Sequence, residues 1–169
     1  NMPEVKRVYC DRSSVSVPQR RAETHKGDYG KLLIVGGSVG YTGAPNLCAK
    51  AAVRSGAGLV YLGVPEAIWS VCAVKNDEAM PFPLPCDVSG KLTADALSPL
   101  REYYDRCGVL ALGPGLGRSE GTAALTAALI REFPGKIVLD ADALWAVSPA
   151  PDILRETKGE IVITPHEGE

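Results

Sequence analysis

The sequence predicts an α/β fold built on a mainly parallel sheet with helices on both faces. Two observations carry this. Short, continuous apolar runs at Lys31–Gly36, Leu59–Val64, Val109–Leu112, Lys136–Asp140 and Glu160–Thr164 alternate with stretches of helical composition, which is the pattern of βαβ units. The polar and glycine-rich strings follow directly after those runs. They therefore fall at the carboxyl ends of strands, where open α/β sheets bind ligands.

Each element has a local reason. Residues 1–24 show little periodicity and are expected to form an N-terminal extension ahead of a domain over 25–169. Lys31-Leu-Leu-Ile-Val reads as a buried strand because it is short, continuous and β-rich. Ala44 to Ser55 is rich in small residues and reads as a helix ended by Gly56. Pro65 stops the second strand, and its fixed φ suits the first turn of a helix to about Ala73. The proline-rich stretch from Lys75 to Gly90 is expected to be irregular, with a short strand near Met80. Thr93 is placed to cap a helix from Ala94 to about Arg106, and Ser119 to cap one from Glu120 to Phe133. A short helix is expected near Ala143. Right-handed crossovers between parallel strands put helices on both faces.

Composition excludes several classes. The 169 residues are 46% hydrophobic and 22% charged, with a net charge of −2. That balance gives no electrostatic case for nucleic acid or an anionic membrane surface. No apolar stretch approaches the ~18 residues that span a bilayer, and Asn1–Arg21 has no apolar signal-peptide core. The five cysteines form no C-x-x-C pair, so a disulfide scaffold and a zinc site are both poor readings. Free thiols and a cytoplasmic location are expected. The exposed edges of a sheet that stops early favour association, so a homo-oligomer is expected.

Four strand ends carry candidate chemistry. Gly36-Gly-Ser-Val-Gly-Tyr-Thr-Gly-Ala44 leads into a helix, where backbone N–H groups attract anions. It is not a Walker A loop, and a tight strand-to-helix turn explains it equally well. Gly113-Pro-Gly-Leu-Gly117 departs from the dinucleotide fingerprint by one residue and reads equally as a turn with positive φ. Asp140 and Asp142 suit metal-water contact, ribose hydrogen bonding, general base work or helix N-capping. His166 could donate to a phosphate or a pyridine amide, or bond to backbone as a loop histidine. His25 reads as a surface or cap histidine.

Taken together, these strings resemble one family. His25-Lys-Gly-Asp-Tyr-Gly-Lys-Leu-Leu-Ile-Val-Gly-Gly-Ser38, Thr42-Gly-Ala44, Ala52-Val-Arg-Ser-Gly-Ala-Gly-Leu-Val60, Gly113-Pro-Gly-Leu-Gly117, Leu139-Asp-Ala-Asp-Ala-Leu144 and Ile163-Thr-Pro-His-Glu-Gly-Glu169 are similar, in order and spacing, to the ADP/ATP-dependent NAD(P)H-hydrate dehydratases. These belong to the ribokinase-like superfamily. The resemblance implies repair of hydrated NADH and NADPH. ADP or ATP, with Mg2+, phosphorylates the 6-hydroxyl, and loss of phosphate restores the dihydronicotinamide. It implies that Ala44, Gly115 and His166 contact the hydrated dinucleotide and that Asp140 lies near the reacting centre. The family continues past the Thr-Pro-His-x-Gly-Glu string into a Gly-Thr-Gly-Asp motif that carries the catalytic base. The fold is therefore expected to be truncated on its C-terminal side, and the chain alone to lack dehydratase activity. Two alternatives are a ribokinase-like kinase of a small vitamin or sugar and a non-catalytic dinucleotide-binding fragment.

Overall fold

The apolar runs become β1 (Lys31–Val35), β2 (Leu59–Pro65), β4 (Val109–Leu112), β5 (Lys136–Leu139) and β6 (Ile161–Ile163), and Met80–Leu84 forms β3 between them in the chain. In this computed structural model, which describes residues 8–16 and 22–168, the six strands make one sheet in the order β3-β2-β1-β4-β5-β6. Every pairing between them is parallel. The helices are α1 (Gly43–Arg54), α2 (Glu66–Lys75), α3 (Leu97–Arg101), α4 (Glu120–Glu132) and α5 (Asp142–Val147). The chain moves outward from β1 to β3, then returns to lay β4 against the other side of β1. Strand order thus reverses between β1 and β4, which is where such sheets open a crevice for ligands. The expected N-terminal extension lies partly outside the described residues.

Strand alternation divides the core in two. Leu33 and Val35 of β1 point to one face, with Leu110, Leu112, Ile137 and Leu139. Leu125, Leu129 and Phe133 of α4 and Ala143 of α5 close over them. Ile34 points to the other face with Val60, Leu62 and Val64, beneath Ala49 of α1 and Ile68 and Cys72 of α2. Burial on both faces explains why β1 and β4 read as continuous apolar runs rather than alternating ones.

One expectation changes. The Ala94–Arg106 helix is shorter, with a 3-10 turn at Ala94–Ala96 followed by α3. Beyond Arg101 the backbone tightens, and Tyr103 N donates to Leu100 O and Tyr104 N to Arg101 O. Tertiary packing favours this ending. Tyr103 stacks on Phe82 with ring centroids 4.3 Å apart, and Tyr104 meets Phe133 edge-on at 5.5 Å. Thr93 does not cap with its side chain, and its buried hydroxyl has no partner. The short strand expected near Met80 is present as β3 within the proline-rich stretch. β3 tolerates Pro81 and Pro83 because it is an edge strand and both can face away from β2. The Pro81 carbonyl instead accepts from Trp69 Nε1 at 3.0 Å.

Phe133 is fully buried where α4 meets the sheet. Phe133→Ala is expected to cost about 3–5 kcal/mol, read in urea titration as a lowered midpoint with the slope unchanged.

Candidate functional site

The loops after β1 and β4 lock together at the strand reversal. Gly37 N donates to Pro114 O at 2.9 Å, and Ser38 Oγ donates to Gly115 O at 2.9 Å from a fully buried position. A Cβ on Gly36 would lie 2.5 Å from the Pro114 carbonyl oxygen. Only glycine allows that approach.

Ala44 and Gly115 meet across this junction. Ala44 is exposed on the first turn of α1. Thr42 makes no side-chain cap there, so the N–H groups of Gly43 and Ala44 are available to a ligand. Gly115 has φ +65, and an added Cβ would sit 2.9 Å from Tyr41 O and 3.5 Å from Ala44 Cβ. A shallow floor of backbone and small side chains results.

The β5 end supplies the next wall. Asp140 N donates to Leu112 O at 3.0 Å, and Asp140 Oδ1 accepts from Thr164 Oγ1 at 2.8 Å. Cys48 of α1 lies close enough to feel this carboxylate. Burial pushes its thiol up, and the Asp140 charge adds to the shift. Asp142 acts separately. Its Oδ2 accepts from Gly117 N at 2.9 Å and its Oδ1 from Arg118 Nε at 2.9 Å. It ties the β4 loop to α5. Neither aspartate caps α5, because the N-cap is Ala141, with φ 49 and ψ −120. The capping reading is therefore replaced by a strained turn that separates the two carboxylates. Ala141 is the one non-glycine residue with positive φ among the described residues. Such strain clusters at functional sites.

His166 follows β6 on the same rim. It is exposed, and its Nδ1 accepts from Gly168 N at 2.9 Å, as the loop-histidine reading has it. Ala44, Gly115 and Asp140 share the strand reversal. His166 turns back on its own loop through Gly168. His25 caps the 3-10 turn Lys26–Tyr29, with its N–H donating to Asp28 Oδ2 at 3.0 Å.

Beside the junction is a crevice of about 480 Å³, lined by Ser38, Val39, Tyr41, Lys91, Gly117, Arg118 and Asp142. Sequence reading missed Lys91 and Arg118. Lys91 follows directly on the stretch that looked irregular, and Arg118 follows a motif whose glycines drew attention instead. A hollow of equal volume lies against α1 and the end of α2, lined partly by Lys50, Arg54, Asp77 and Glu78. No carboxyl end of a strand reaches it, and Asp77 and Glu78 lie among its three cations, Lys50, Arg54 and Lys75. Among the described residues no three His, Cys, Asp or Glu side chains converge as metal ligands.

Fold and site define a ribokinase-like α/β protein with a crevice at the strand reversal. A ribokinase-like superfamily protein from Enterococcus faecalis superposes with a TM-score of 0.74 at 22% identity, over 89% of this chain and 50% of that one. The family model for NAD(P)H-hydrate dehydratase matches residues 32–169, and the chain belongs to that family. Relatives include the bifunctional NAD(P)H-hydrate repair enzyme Nnr of Moorella thermoacetica, 44% identical over 153 residues, covering 90% of this chain and 29% of the relative. Nnr of Dictyoglomus turgidum is 44% identical over 148 residues, covering 86% and 28%. The ADP/ATP-dependent NAD(P)H-hydrate dehydratase of Bacillus subtilis, co-crystallised with ATP/Mg2+, superposes with a TM-score of 0.67 at 27% identity, over 90% of this chain and 50% of that one. The chain thus spans about three tenths of these curated relatives and half of the solved structures.

Two outcomes follow from the β5 end. Removing the Asp140 charge should lower the Cys48 thiol's pKa and raise its thiolate fraction. Asp140→Asn is expected to speed alkylation of Cys48 at pH 8 by about two- to fivefold, read by peptide mass spectrometry. Ala141→Gly should relieve the left-handed backbone and raise stability by about 1 kcal/mol, seen as a higher midpoint in thermal melts.

Proposed function

We propose that this chain provides the dinucleotide side of an enzyme that returns hydrated NADH and NADPH to NADH and NADPH. The observation that carries the reading is the meeting of Ala44 and Gly115 at the strand reversal, within a chain of the dehydratase family. Small residues and unpaired first-turn N–H groups allow close approach of a polar, anionic ligand. The family match favours this reading over a vitamin or sugar kinase.

The chemistry follows from leaving-group strength. Hydroxide leaves poorly from C6 of the hydrated ring. Transfer of a phosphoryl group from ATP or ADP to the 6-hydroxyl makes phosphate the leaving group. When the C6–O bond breaks and the neighbouring carbon gives up a proton, the dihydronicotinamide is restored. In this scheme the chain positions and stabilises rather than forming a covalent intermediate. Ala44 and Gly115 offer backbone groups to the dinucleotide, and His166 approaches from the β6 loop. Asp140, oriented by Thr164, is assigned a place near the reacting centre. ADP or ATP with Mg2+ is the donor that the family implies. Asp142 is committed to Gly117 and Arg118, and no ligand cluster converges among the described residues.

The setting proposed is a cytoplasmic homo-oligomer that engages neither nucleic acid nor membrane. Five free cysteines suit a reducing compartment. Among the described residues no helix is long and apolar enough to cross a membrane.

Calorimetry with hydrated NADH, NADH and ADP tests the reading. Hydrated NADH should bind, and Gly115→Ala should weaken it at least tenfold, because the new methyl meets Tyr41 O and forces φ from +65. Unchanged affinity in Gly115→Ala would remove the site from this junction.

A further inference from the structure

The crevice has a third wall that neither glycine loop supplies. The turn Asp87–Lys91 is closed by its own aspartate. Asp87 Oδ1 accepts from Ser89 N at 2.8 Å, Ser89 Oγ at 2.7 Å and Lys91 N at 3.1 Å. Asp87 N donates to Lys91 O at 2.8 Å, and Val39 N donates to Gly90 O at 3.2 Å. The turn is therefore rigid and docked on the loop after β1. It lays Lys91 across Gly117, where an added Cβ would meet the Lys91 Cγ, Cδ and Cε atoms at 3.2–3.3 Å. The half-buried stem runs to Arg118, whose carbonyl accepts from Lys91 Nζ at 3.4 Å.

Two cations thus sit on one crevice. Among the described residues Lys91 has no carboxylate within ion-pair distance, and the nearby Asp87 carboxylate, which feels the Lys91 charge, is held by the three donors of its turn. Arg118 commits its Nε to Asp142 and lies 5.7 Å from the Trp145 ring centroid, which leaves further donors of its five-donor fork. Asp142 is the one carboxylate in the lining, so the lining carries a net positive charge. Val39 and Tyr41 add apolar wall. Tyr41 also borders Gly115, so the crevice is continuous with the junction. A guanidinium fork beside an ammonium on a fixed turn is an arrangement suited to phosphate.

We infer that Lys91 and Arg118 bind a phosphate group of the dinucleotide in this crevice, with Lys91 as the affinity-determining cation. The inference rests on reading the junction as a dinucleotide site. The phosphate chemistry has two sources, the 2′-phosphate of NADP and the pyrophosphate common to NAD and NADP.

The test is calorimetric titration of the full chain with NADP+ and with NAD+, for the wild type, Lys91→Gln and Lys91→Arg. Lys91→Gln should bind NADP+ about tenfold more weakly, with an unchanged melting temperature, and Lys91→Arg should recover most of the loss. A loss confined to NADP+ assigns the crevice to the 2′-phosphate, whereas equal losses assign it to the pyrophosphate. Wild-type binding with both affinities of Lys91→Gln within twofold overturns this inference alone. Wild-type failure to bind either dinucleotide overturns both it and the dinucleotide reading.

Discussion

The contact between the backbone after β1 and the backbone after β4 is the constraint on which the site depends. Gly36 lies so close to the Pro114 carbonyl that a side chain would collide with it, and Gly37 and Ser38 then bond across to Pro114 and Gly115. Two loops from opposite sides of a strand reversal become one surface. Because β1 and β4 are buried on both faces, neither loop can shift without moving the core. The floor that Ala44 and Gly115 form is therefore set by the sheet rather than by the loops' own preferences.

Other elements are fastened to that floor in turn. Asp142 clasps the amide of Gly117 and the guanidinium of Arg118, and the strained Ala141 directs Asp140 elsewhere, to Thr164. One short segment thus serves two neighbours. The Asp87–Lys91 turn reaches the same loop from the opposite side through Val39 and Gly117. Rigid support from several directions is what a positioning site needs, since small misplacements in such sites are costly.

Much of this was legible in the residues. Strands buried on both faces announce themselves as apolar runs, and Ser119 caps α4 as its position suggests. Gly36–Ala44, Gly113–Gly117 and Asp140 follow β1, β4 and β5, and parallel topology alone brings such ends together. What stayed hidden depended on tertiary packing. The early end of α3 reflects where Tyr103 and Tyr104 find aromatic partners. β3 was legible as a short strand near Met80, and its prolines are tolerated because it lies at an edge. Lys91 had no local signal, since its place beside Gly117 comes from a turn docking two strands away. His166 follows β6 and is bonded to its own loop, as the loop-histidine reading has it.

The prolines of β3 have one more consequence. With Pro81 and Pro83 on its outward side, that margin of the sheet presents carbonyls without matching N–H groups, and one carbonyl is already taken by Trp69. A foreign strand arriving there finds no ladder to complete. β6, whose Val162 and Ile163 remain exposed, has no such block. The sheet is therefore a one-way template, sealed at one border and receptive at the other. Any backbone-mediated extension, whether by further chain or by misassembly, must begin at the β6 side.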